Sequence, residues 1–542
     1  MLTILALIAL LSGAAATAQT ADLVVENARI YTVNPAQPSA KALAVKGTRI
    51  LAVGDDVTKY VGPSTKHIDA KGAAVVPGLI DSHVHMLGLG ALLDSFDLRH
   101  VKSIDEVAAI VKTSVAGKPA GEWLQGRAWD ETNWGGKFPT HDPLTAAAPN
   151  NPVYLRRVDG HAGWANRKAM ELAGITKSTP DPQGGKIIRD ATGEPTGVFV
   201  DRAQGLVTSR IPPPTPAIVQ RQLLRAAQEE ARLGLTGVHD AGIGPEEMAA
   251  YKKLATEGRL PTRVYAMIGG NGELWREYLK KGPELGEYLT VRSIKLVADG
   301  AMGSRGAAFW QPYSDDPGNT GLLILSKEQI EAVGRDAVKA GFQVNTHAIG
   351  DRANRTALDA YGAVLGGNND KRFRIEHAQV VSLPDFALFA KFNVIASIQS
   401  THATSDMRWA SARLGPDRMQ GAWAPQRFLK AGVKITNGSD TPVENPNPLW
   451  GFYAAVTRQD HEGNPPGGFM PDQKLSREEA LKTWTIDGAY AAFQEKDRGS
   501  LEPGKLADFV ILSRDIMTVE PRQILDTKVR MTVLGGKTVF SE

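Results

Sequence analysis

The sequence places two histidines one residue apart at the end of an apolar run. Residues 75–85 begin with valine, leucine and isoleucine and end in Asp-Ser-His-Val-His. Because successive side chains of a strand point to opposite faces, Asp81, His83 and His85 are predicted to share one face. Two neighbouring imidazoles on a rigid strand end can bind a borderline metal ion such as zinc. Surface histidines also produce this spacing, so the pair alone is weak evidence.

Residues of metal-binding types also close later strands of the predicted fold. Residues 342–347 and 374–377 each end in a histidine, and residues 433–440 end in an aspartate. Lys295 lies within the apolar strand 291–297, on the face opposite the one suited to packing against helices, so it is predicted to point inward. A buried ammonium without partners is costly. We therefore expect Lys295 either to pair with a carboxylate or to react with CO₂, which would give an anionic carbamate ligand.

Together these residues could activate a water molecule for hydrolysis. Four histidines, one aspartate and one carbamate suffice to hold two divalent ions, which would present a hydroxide at neutral pH. Taken singly, His347 or His377 is more often a hydrogen-bonded residue at a strand end. Asp440, after Gly438-Ser439, could likewise be a turn residue. Their joint occurrence at successive strand ends favours the metal interpretation.

The elements that must position these residues alternate between helix and strand. Capping boxes at Ser103, Ser326 and Ser476 precede helical apolar spacing, and several helices end near glycine before a short apolar strand. This unit implies parallel strands with crossover helices. At this length it predicts a (β/α)₈ TIM-like barrel, in which catalytic groups lie at the carboxyl ends of the strands. A doubly wound open sheet is the alternative, but no Gly-x-Gly-x-x-Gly motif follows an early strand.

The two ends of the chain are rich in short β segments instead. The predicted strands there are residues 23–32, 43–53, 507–513 and 529–540. We therefore expect both termini to form one small β-sandwich domain, residues 20–77 and 499–542, around a barrel of residues 78–498. A stretch at about 112–205, rich in Trp, Gly, Asp and Pro, is too long for a plain crossover and is predicted to be an insertion.

Composition excludes several classes of protein. Of the 542 residues, 42% are hydrophobic and 22% are charged, and a net charge of +3 gives no sign of a nucleic-acid partner. The absence of cysteine excludes disulfides and thiolate ligands. Residues 1–19 have the apolar core and small-x-small cleavage pattern of a signal peptide, although they lack Lys and Arg. We expect an exported protein, periplasmic or secreted, with no membrane span in the mature chain.

A few other residues could contact a substrate. His161 could bind the substrate or stabilise an oxyanion, or be an ordinary loop residue. Asp299 and Arg305 could orient a polar group, although Arg305 could equally pair with a local carboxylate. His239 competes for a ligand role, but a structural role is favoured. The insertion contributes tryptophans that could line a hydrophobic pocket or simply pack: Trp123, Trp129 and Trp134. No role is predicted for His67, His100, His141, His402 and His461.

Several motifs together resemble the amidohydrolase superfamily. They are the run Pro77-Gly-Leu-Ile-Asp-Ser-His-Val-His85, Lys295, His347, Glu376-His377, Gly438-Ser-Asp440 and the closing run from Gly499 to Asp508. Three further segments are similar to the branch that contains N-substituted formamide deformylases and YtcJ-like proteins. These segments are residues 295–305, Asp159-Gly-His161 and residues 346–351.

The resemblance implies a metal-dependent barrel with a β-sandwich from both termini. By position, it implies that His83, His85 and Asp440 hold one ion and that His347 and His377 hold the other. Carboxylated Lys295 would bridge the two ions, most simply Zn²⁺. Asp440 would accept the proton of the attacking hydroxide and pass it to the leaving amine.

We therefore expect a hydrolase of non-peptide C–N bonds that acts on a small-molecule amide, such as an N-acyl or N-formyl amine, through a metal-activated hydroxide. Carbamate, ester or cyclic-amide hydrolysis by the same site, and one-metal deamination, are the enzymatic alternatives. A binding protein that has lost turnover is the non-enzymatic one. The sequence leaves a homodimer open.

Overall fold

A computed structural model describes residues 19–98, 101–157, 162–182, 185–303, 305–367 and 369–542. Of the helices in these ranges, none has both the length and the hydropathy of a membrane-spanning segment. The predicted signal peptide lies outside the described residues apart from Gln19, so it stays a prediction. The chain divides into two compact units. The first comprises the described parts of Met1–Val84, Glu229–Gly242 and Pro261–Glu542, and the second those of His85–Gln228 and Ile243–Leu260.

The strands of the described residues are short, and most are strongly buried. In chain order they are β1 (Leu23–Glu26), β2 (Arg29–Tyr31), β3 (Ser39–Ala40), β4 (Ala42–Lys46), β5 (Arg49–Gly54), β6 (Lys66–Asp69), β7 (Ala74–Pro77), β8 (Leu79–Val84), β9 (Phe96–Asp97), β10 (Leu124–Trp129), β11 (Val153–Arg157), β12 (Ala162–Ala165), β13 (Gly185–Arg189), β14 (Pro195–Asp201), β15 (Leu235–Ile243), β16 (Arg263–Gly269), β17 (Glu284–Leu285), β18 (Leu289–Val297), β19 (Gln343–Ala348), β20 (Arg374–His377), β21 (Ile395–Ile398), β22 (Ile435–Asn437), β23 (Phe509–Leu512), β24 (Val529–Leu534) and β25 (Lys537–Ser541).

Several helices begin where the sequence predicts. The side chains of Ser103, Ser326 and Ser476 each accept a hydrogen bond from the backbone N–H three residues on, which stabilises a helix start. The helices are α1 (Met86–Asp94), α2 (Ile104–Val115), α3 (Asp142–Ala147), α4 (Arg167–Leu172), α5 (Gln204–Thr208), α6 (Pro216–Arg232), α7 (Pro245–Thr256), α8 (Leu274–Lys281), α9 (Lys327–Ala340), α10 (Asp351–Leu365), α11 (Phe386–Lys391), α12 (Ser400–Met419), α13 (Pro425–Lys430), α14 (Pro448–Thr457), α15 (Arg477–Thr483) and α16 (Ile486–Ala491).

The first unit is built on a nearly closed barrel of eight parallel strands. Their order is β8-β15-β16-β18-β19-β20-β21-β22, with β17 paired to β18 outside this path. Val84 at the end of β8 pairs in parallel with Thr441, just after β22, and so brings the first and last strands together. The predicted (β/α)₈ TIM-like barrel is therefore confirmed, and the open doubly wound sheet is wrong. Every residue of β8 is buried, as expected for a parallel strand covered on both faces.

Both ends of the chain contribute to the remaining sheets of the first unit. One sheet has the order β5-β4-β1-β6, and the other has the order β25-β24-β23-β7-β2-β3. Residues of both sheets share one hydrophobic core, among them Leu43 and Val45 from the first and Phe509 and Val533 from the second. The single strand predicted for residues 23–32 is wrong, because Asn27 takes a left-handed conformation (φ 53°) and sends β1 and β2 into different sheets.

The second unit contains a mixed sheet of its own. Its strands have the order β13-β14-β12-β11-β10-β9, which covers most of the predicted insertion. Trp129 and Trp164 are fully buried in the core beside this sheet. Each indole N–H donates to a backbone carbonyl, Trp129 to Leu155 (2.8 Å) and Trp164 to Thr140 (2.9 Å). These tryptophans stabilise the unit by packing, with their single polar atoms satisfied.

Candidate metal centre

The barrel brings together residues that lie more than 350 positions apart in the sequence. His83 is on β8, Lys295 on β18, His347 on β19 and His377 at the end of β20, while Asp440 follows β22. Their imidazole rings lie close together: the centroids of His83 and His377 are 4.9 Å apart, and those of His347 and His377 are 4.5 Å apart. The register explains this proximity, since neighbouring strands pair Val297 with His347 and Ala348 with His377.

Lys295 points into the barrel, as its position in the strand predicts. Only 6% of the residue is exposed, and Nζ lies 3.4 Å from Nε2 of His83. Burial lowers the pKa of the amine, although the carboxylates of Glu376 and Asp440 oppose this shift. A lowered pKa increases the neutral fraction of the amine, and the neutral amine is the form that reacts with CO₂.

His83 is held by a network of buried charges below the site. Its Nδ1 lies 2.5 Å from Oε2 of Glu376, and Arg374 donates to the same oxygen (3.0 Å). Arg374 also donates to Nδ1 of His239 (2.9 Å) and to Oγ of Ser397 (3.0 Å). Burial raises the pKa of Glu376, but Arg374 and His83 more than offset this and hold it well below its usual value. The resulting carboxylate accepts the Nδ1 proton of His83, so Nε2 keeps its lone pair.

The other two barrel histidines are also in the neutral form. Nδ1 of His377 donates to Oε1 of Gln399 (2.7 Å), which fixes the ring and leaves Nε2 as the acceptor. Burial lowers the pKa of His83 to about 4 and that of His347 to about 3, with the nearby Lys295 contributing to both. Burial, and then the neighbouring His347, lower that of His377 well below its usual value. Neutral imidazoles are the state that binds metal ions.

Asp440 is positioned by its backbone. It has φ of 60°, and its N–H donates to the carbonyl of His83 (2.8 Å). Asp81 accepts hydrogen bonds from the N–H groups of His83 (3.1 Å) and Ser439 (3.0 Å) and so fixes the same turn. Gly438 is required here, since a Cβ atom would lie 2.6 Å from the backbone N of His83. The turn places Oδ1 of Asp440 3.6 Å from Nε2 of His83.

His402, for which the sequence predicts no role, also reaches the site. It lies in the first turn of α12, and its Nε2 is 3.6 Å from Oδ2 of Asp440. Ligand atoms of His377, His402 and Asp440 all lie within 4.8 Å of one another, and all three residues are buried. His402 follows the end of β21 by four residues, so the strand-end pattern that identifies His347 and His377 could have identified it too.

This set of donors fits divalent metal ions. Nε2 of His347 and Nε2 of His402 are buried and have no hydrogen-bond partner among the described residues. Asp299 Oδ1 is 3.5 Å from His347 Nε2, but it is directed at backbone N–H groups instead. Buried polar atoms are normally satisfied, so unpaired imidazole nitrogens beside a carboxylate indicate a place for a cation. Nitrogen and oxygen donors of these types suit zinc and related ions.

Comparisons with known proteins agree with this geometry. A model of the amidohydrolase family matches residues 66–540. The chain belongs to this family. A solved structure of an uncharacterized metal-dependent hydrolase from Pyrococcus furiosus superposes with a TM-score of 0.76 at 30% identity, covering 92% of this chain and all of the other. The protein is thus a metal-dependent hydrolase of the amidohydrolase family, and its candidate metal site contains buried histidine and aspartate.

Three curated relatives align over most of this amidohydrolase. Protein LONG AFTER FAR-RED 3 of Arabidopsis thaliana is 35% identical, covering 96% of this chain and 92% of its own. The putative amidohydrolase YtcJ of Bacillus subtilis is 34% identical, covering 89% of this chain and 92% of its own. The N-substituted formamide deformylase of Arthrobacter pascens is 28% identical, covering 96% of this chain and 98% of its own. The predicted membership of this branch is confirmed.

The metal-ligand role of His85 and the substrate contact of His161 stay predictions. His85 directly follows β8, is the first residue of the second unit and precedes the first turn of α1, where it is half-buried. His161 lies outside the described residues.

Two other residues predicted to contact substrate are Arg305 and Trp129. The structure of the amidohydrolase supports the alternatives, a local ion pair for Arg305 and core packing for Trp129. Arg305 pairs with Asp315 through Nε (3.2 Å) and Nη2 (2.9 Å), so its guanidinium is engaged by a local carboxylate. Trp129 is a core residue of the second unit, and its indole N–H is satisfied by a backbone carbonyl, as described above.

Asp299 organises the loops after β18 and β19. Its carboxylate is fully buried and accepts hydrogen bonds from the N–H groups of Ala308 (2.9 Å), Ile349 (3.0 Å) and Gly350 (2.8 Å). Burial raises the pKa of Asp299 to about 7, and these three donors act against the shift. The observed partners are backbone groups, so Asp299 holds these loops together beside His347, and its contact with substrate stays a prediction.

Sequence reasoning singles out the candidate ligands more readily than the residues that support them. Glu376 enters only through its motif, and neither Arg374 nor Gln399 is singled out, although all three fix the site histidines. Their charges and hydrogen bonds are set by contacts between strands that are distant in sequence. No local spacing signals such contacts.

Proposed function

We propose that this amidohydrolase hydrolyses the amide bond of an N-acyl or N-formyl amine. The observation that carries the proposal is the convergence of neutral imidazoles, a buried lysine and the Asp440 carboxylate at one end of the barrel. The N-substituted formamide deformylase of Arthrobacter pascens, aligned over 98% of its length, supports the choice of a non-peptide C–N bond.

We assign the metal ligands by combining this geometry with the family pattern. His83, His85 and Asp440 would hold one ion, and His347 and His377 the other. Lys295, as its carbamate, would bridge them. Bound zinc ions would supply Lewis-acid polarisation of the carbonyl and activation of water.

The protein's own groups then have distinct tasks. Glu376 holds the Nδ1 proton of His83 and keeps Nε2 available, and Gln399 does the same for His377. Asp440 would accept a proton from the attacking water and donate it to the leaving nitrogen, acting first as base and then as acid. Its left-handed backbone and its hydrogen bond to His83 fix the carboxylate for both transfers.

The test is a substrate panel with the zinc-loaded protein. The panel compares five kinds of substrate that share one aromatic substituent: an N-formyl amine, an N-acetyl amine, a carbamate, an ester and a cyclic amide. Their hydrolysis is measured by release of the amine or alcohol. We expect kcat/KM to be highest for an N-formyl or N-acyl amine, and the Asp440→Asn variant to lose this activity. Turnover of the ester or cyclic amide alone, or tight binding without turnover, would contradict the proposal.

A further inference from the structure

A small cavity adjoins the candidate metal centre within the first unit. Its walls include the site residues His377 and His402, the residue Gln399 that orients His377, and two residues not used so far, Trp423 and Arg458. The cavity therefore shares its wall with the proposed reaction centre. This position allows a substrate bound at the centre to extend a group into the cavity.

Arg458 is a buried cation that lacks an acidic partner in the described part of the chain. Only 2% of the residue is exposed, and the group that its Nε contacts is a neutral backbone carbonyl, that of Phe469. Its Nη2 is buried and has no hydrogen-bond partner among the described residues. Burial lowers the pKa of Arg458 to about 10, which still leaves it cationic at neutral pH, and Asp472 acts against this shift only through its charge.

A second donor with no partner lines the same cavity. Trp423 is 7% exposed, and its buried Nε1 has no acceptor among the described residues. The other walls of the cavity combine the apolar residues Ala378, Ile398 and Pro425 with polar ones, among them Gln379 and Ser400. A buried guanidinium and an indole N–H without acceptors can bind an oxygen acceptor, and a charged one most strongly.

The guanidinium is held in place by the chain around it. Nε of Arg458 donates to the carbonyl of Phe469 (2.9 Å), and the backbone carbonyl of Arg458 accepts from the N–H of Phe469 (2.7 Å). Its own N–H donates to Ala454 (2.9 Å). One edge of the guanidinium is thus fixed, while Nη2 remains for a ligand. A fixed donor binds a ligand with little loss of side-chain entropy.

Two other buried arginines of this unit are paired with carboxylates. Arg374 contacts both oxygens of Glu376, at 2.7 and 3.0 Å, and Arg263 contacts both oxygens of Asp508, at 2.9 and 3.0 Å. A third, Arg498, also has a buried Nη2 without a hydrogen-bond partner among the described residues, but it does not line this cavity. A buried charge without a partner costs stability. Unlike Arg498, Arg458 lies at the wall of a candidate active site, where an anionic group of a ligand can serve as its partner.

We propose that Arg458, assisted by Trp423, binds a carboxylate of the substrate, so that the preferred substrates are N-acyl or N-formyl amines that carry an acidic group. This inference rests on the proposed amide hydrolysis and adds a substrate class to it. N-formylphenylalanine and N-formyl-2-phenylethylamine are a suitable pair of probes, because they differ only in the carboxylate.

The experiment measures kcat/KM for both probes with zinc-loaded wild-type protein and with Arg458→Gln. We expect the wild type to prefer the acidic probe by about 10- to 100-fold, the range of a hydrogen bond to a charged group. In Arg458→Gln this ratio should fall towards 1, mainly through KM. A Trp423→Phe variant, which loses only the N–H, should reduce the ratio by a smaller factor and serves if Arg458→Gln does not fold.

The outcomes separate this inference from the proposed function. Hydrolysis of both probes with equal kcat/KM, or a ratio unchanged in both variants, would overturn the inference and leave amide hydrolysis standing. If neither probe is hydrolysed, the proposed function fails. In that case the affinity for N-formylphenylalanine, measured by calorimetry in the wild type and in Arg458→Gln, tests the role of Arg458. Binding that is at least about 10-fold weaker in Arg458→Gln supports the inference, and equal binding or none contradicts it.

Discussion

Two layers of the barrel interior treat buried charge in opposite ways. In the support layer (Arg374, Glu376, His239 and Ser397), the guanidinium and the carboxylate face each other and also contact neutral partners. In the site layer (Lys295, His347, His377, His402 and Asp440), an amine lies beside an imidazole, and two imidazole nitrogens lack partners among the described residues. Charges that pair with each other orient the candidate ligands. The imidazole nitrogens of His347 and His402, which have no hydrogen-bond partner among the described residues, remain available to metal ions.

The largest effect is expected at Asp440. Asp440→Asn removes the proton-transfer group and an anionic ligand, so kcat/KM should fall by about 10³-fold or more. Asparagine tolerates the left-handed backbone, so the fold should be retained. Kinetics of the best amide substrate and circular dichroism test both expectations. Activity within about 10-fold of wild type would remove Asp440 from the mechanism.

Lys295→Met keeps the aliphatic stem but cannot form a carbamate. We expect zinc content to fall below that of the wild type and kcat/KM to fall by about 10²-fold or more, since metal-ion catalysis supplies several kcal/mol. Arg292→Met is a matched control on the same strand, because Arg292 stacks on Phe493 instead of facing the site. Wild-type zinc content in Lys295→Met would contradict the bridging role.

Substitutions in the support layer should lower the free energy of unfolding. Arg374→Met leaves the buried Glu376 without its cation, which should cost about 3–5 kcal/mol in the free energy of unfolding. Lys295→Met should cost less, because in the metal-free protein it removes a buried amine whose near neighbour is the neutral imidazole of His83. Denaturant unfolding of both metal-free variants tests this order. A larger loss of stability in Lys295→Met than in Arg374→Met would contradict the distinction between the two layers.

Removing the metal should lower the stability of the protein only through the contacts that the metal makes with the site layer. At zinc concentrations about 100-fold above Kd, bound metal should add about 2.7 kcal/mol to the free energy of unfolding. Chelation should therefore lower the unfolding midpoint of the wild type but not that of Lys295→Met to the same extent. Equal shifts in both proteins would place the bound zinc elsewhere.

The smallest effect is expected at Arg305. Because its guanidinium already pairs with Asp315 at the surface, Arg305→Gln should leave the unfolding midpoint almost unchanged and should not alter kcat/KM for the best amide. A loss of more than about 10-fold in kcat/KM would instead support the substrate contact predicted from its sequence position.

The sequence predicts the barrel and its inward-facing Lys295 because strand periodicity and helix caps are local signals. It predicts the strand-end histidines for the same reason. It does not predict that Asn27 divides a strand between two sheets, that Arg374 and Glu376 pair beneath His83, or that His402 and Arg458 line one cavity. The ion pair and the cavity depend on contacts between elements that are distant along the chain, which no local spacing encodes. The left-handed turn at Asn27 and the position of His402 after β21 are local features that the strand predictions passed over.

The central claim is that the site layer holds divalent metal ions. Crystallography of the zinc-loaded protein, with anomalous scattering measured at the zinc edge, tests it most directly. We expect anomalous peaks within bonding distance of His83, His347, His377 and Asp440, and extra density joined to Nζ of Lys295. Zinc bound only at other places, with these side chains left as an unliganded cluster and Lys295 unmodified, would contradict it.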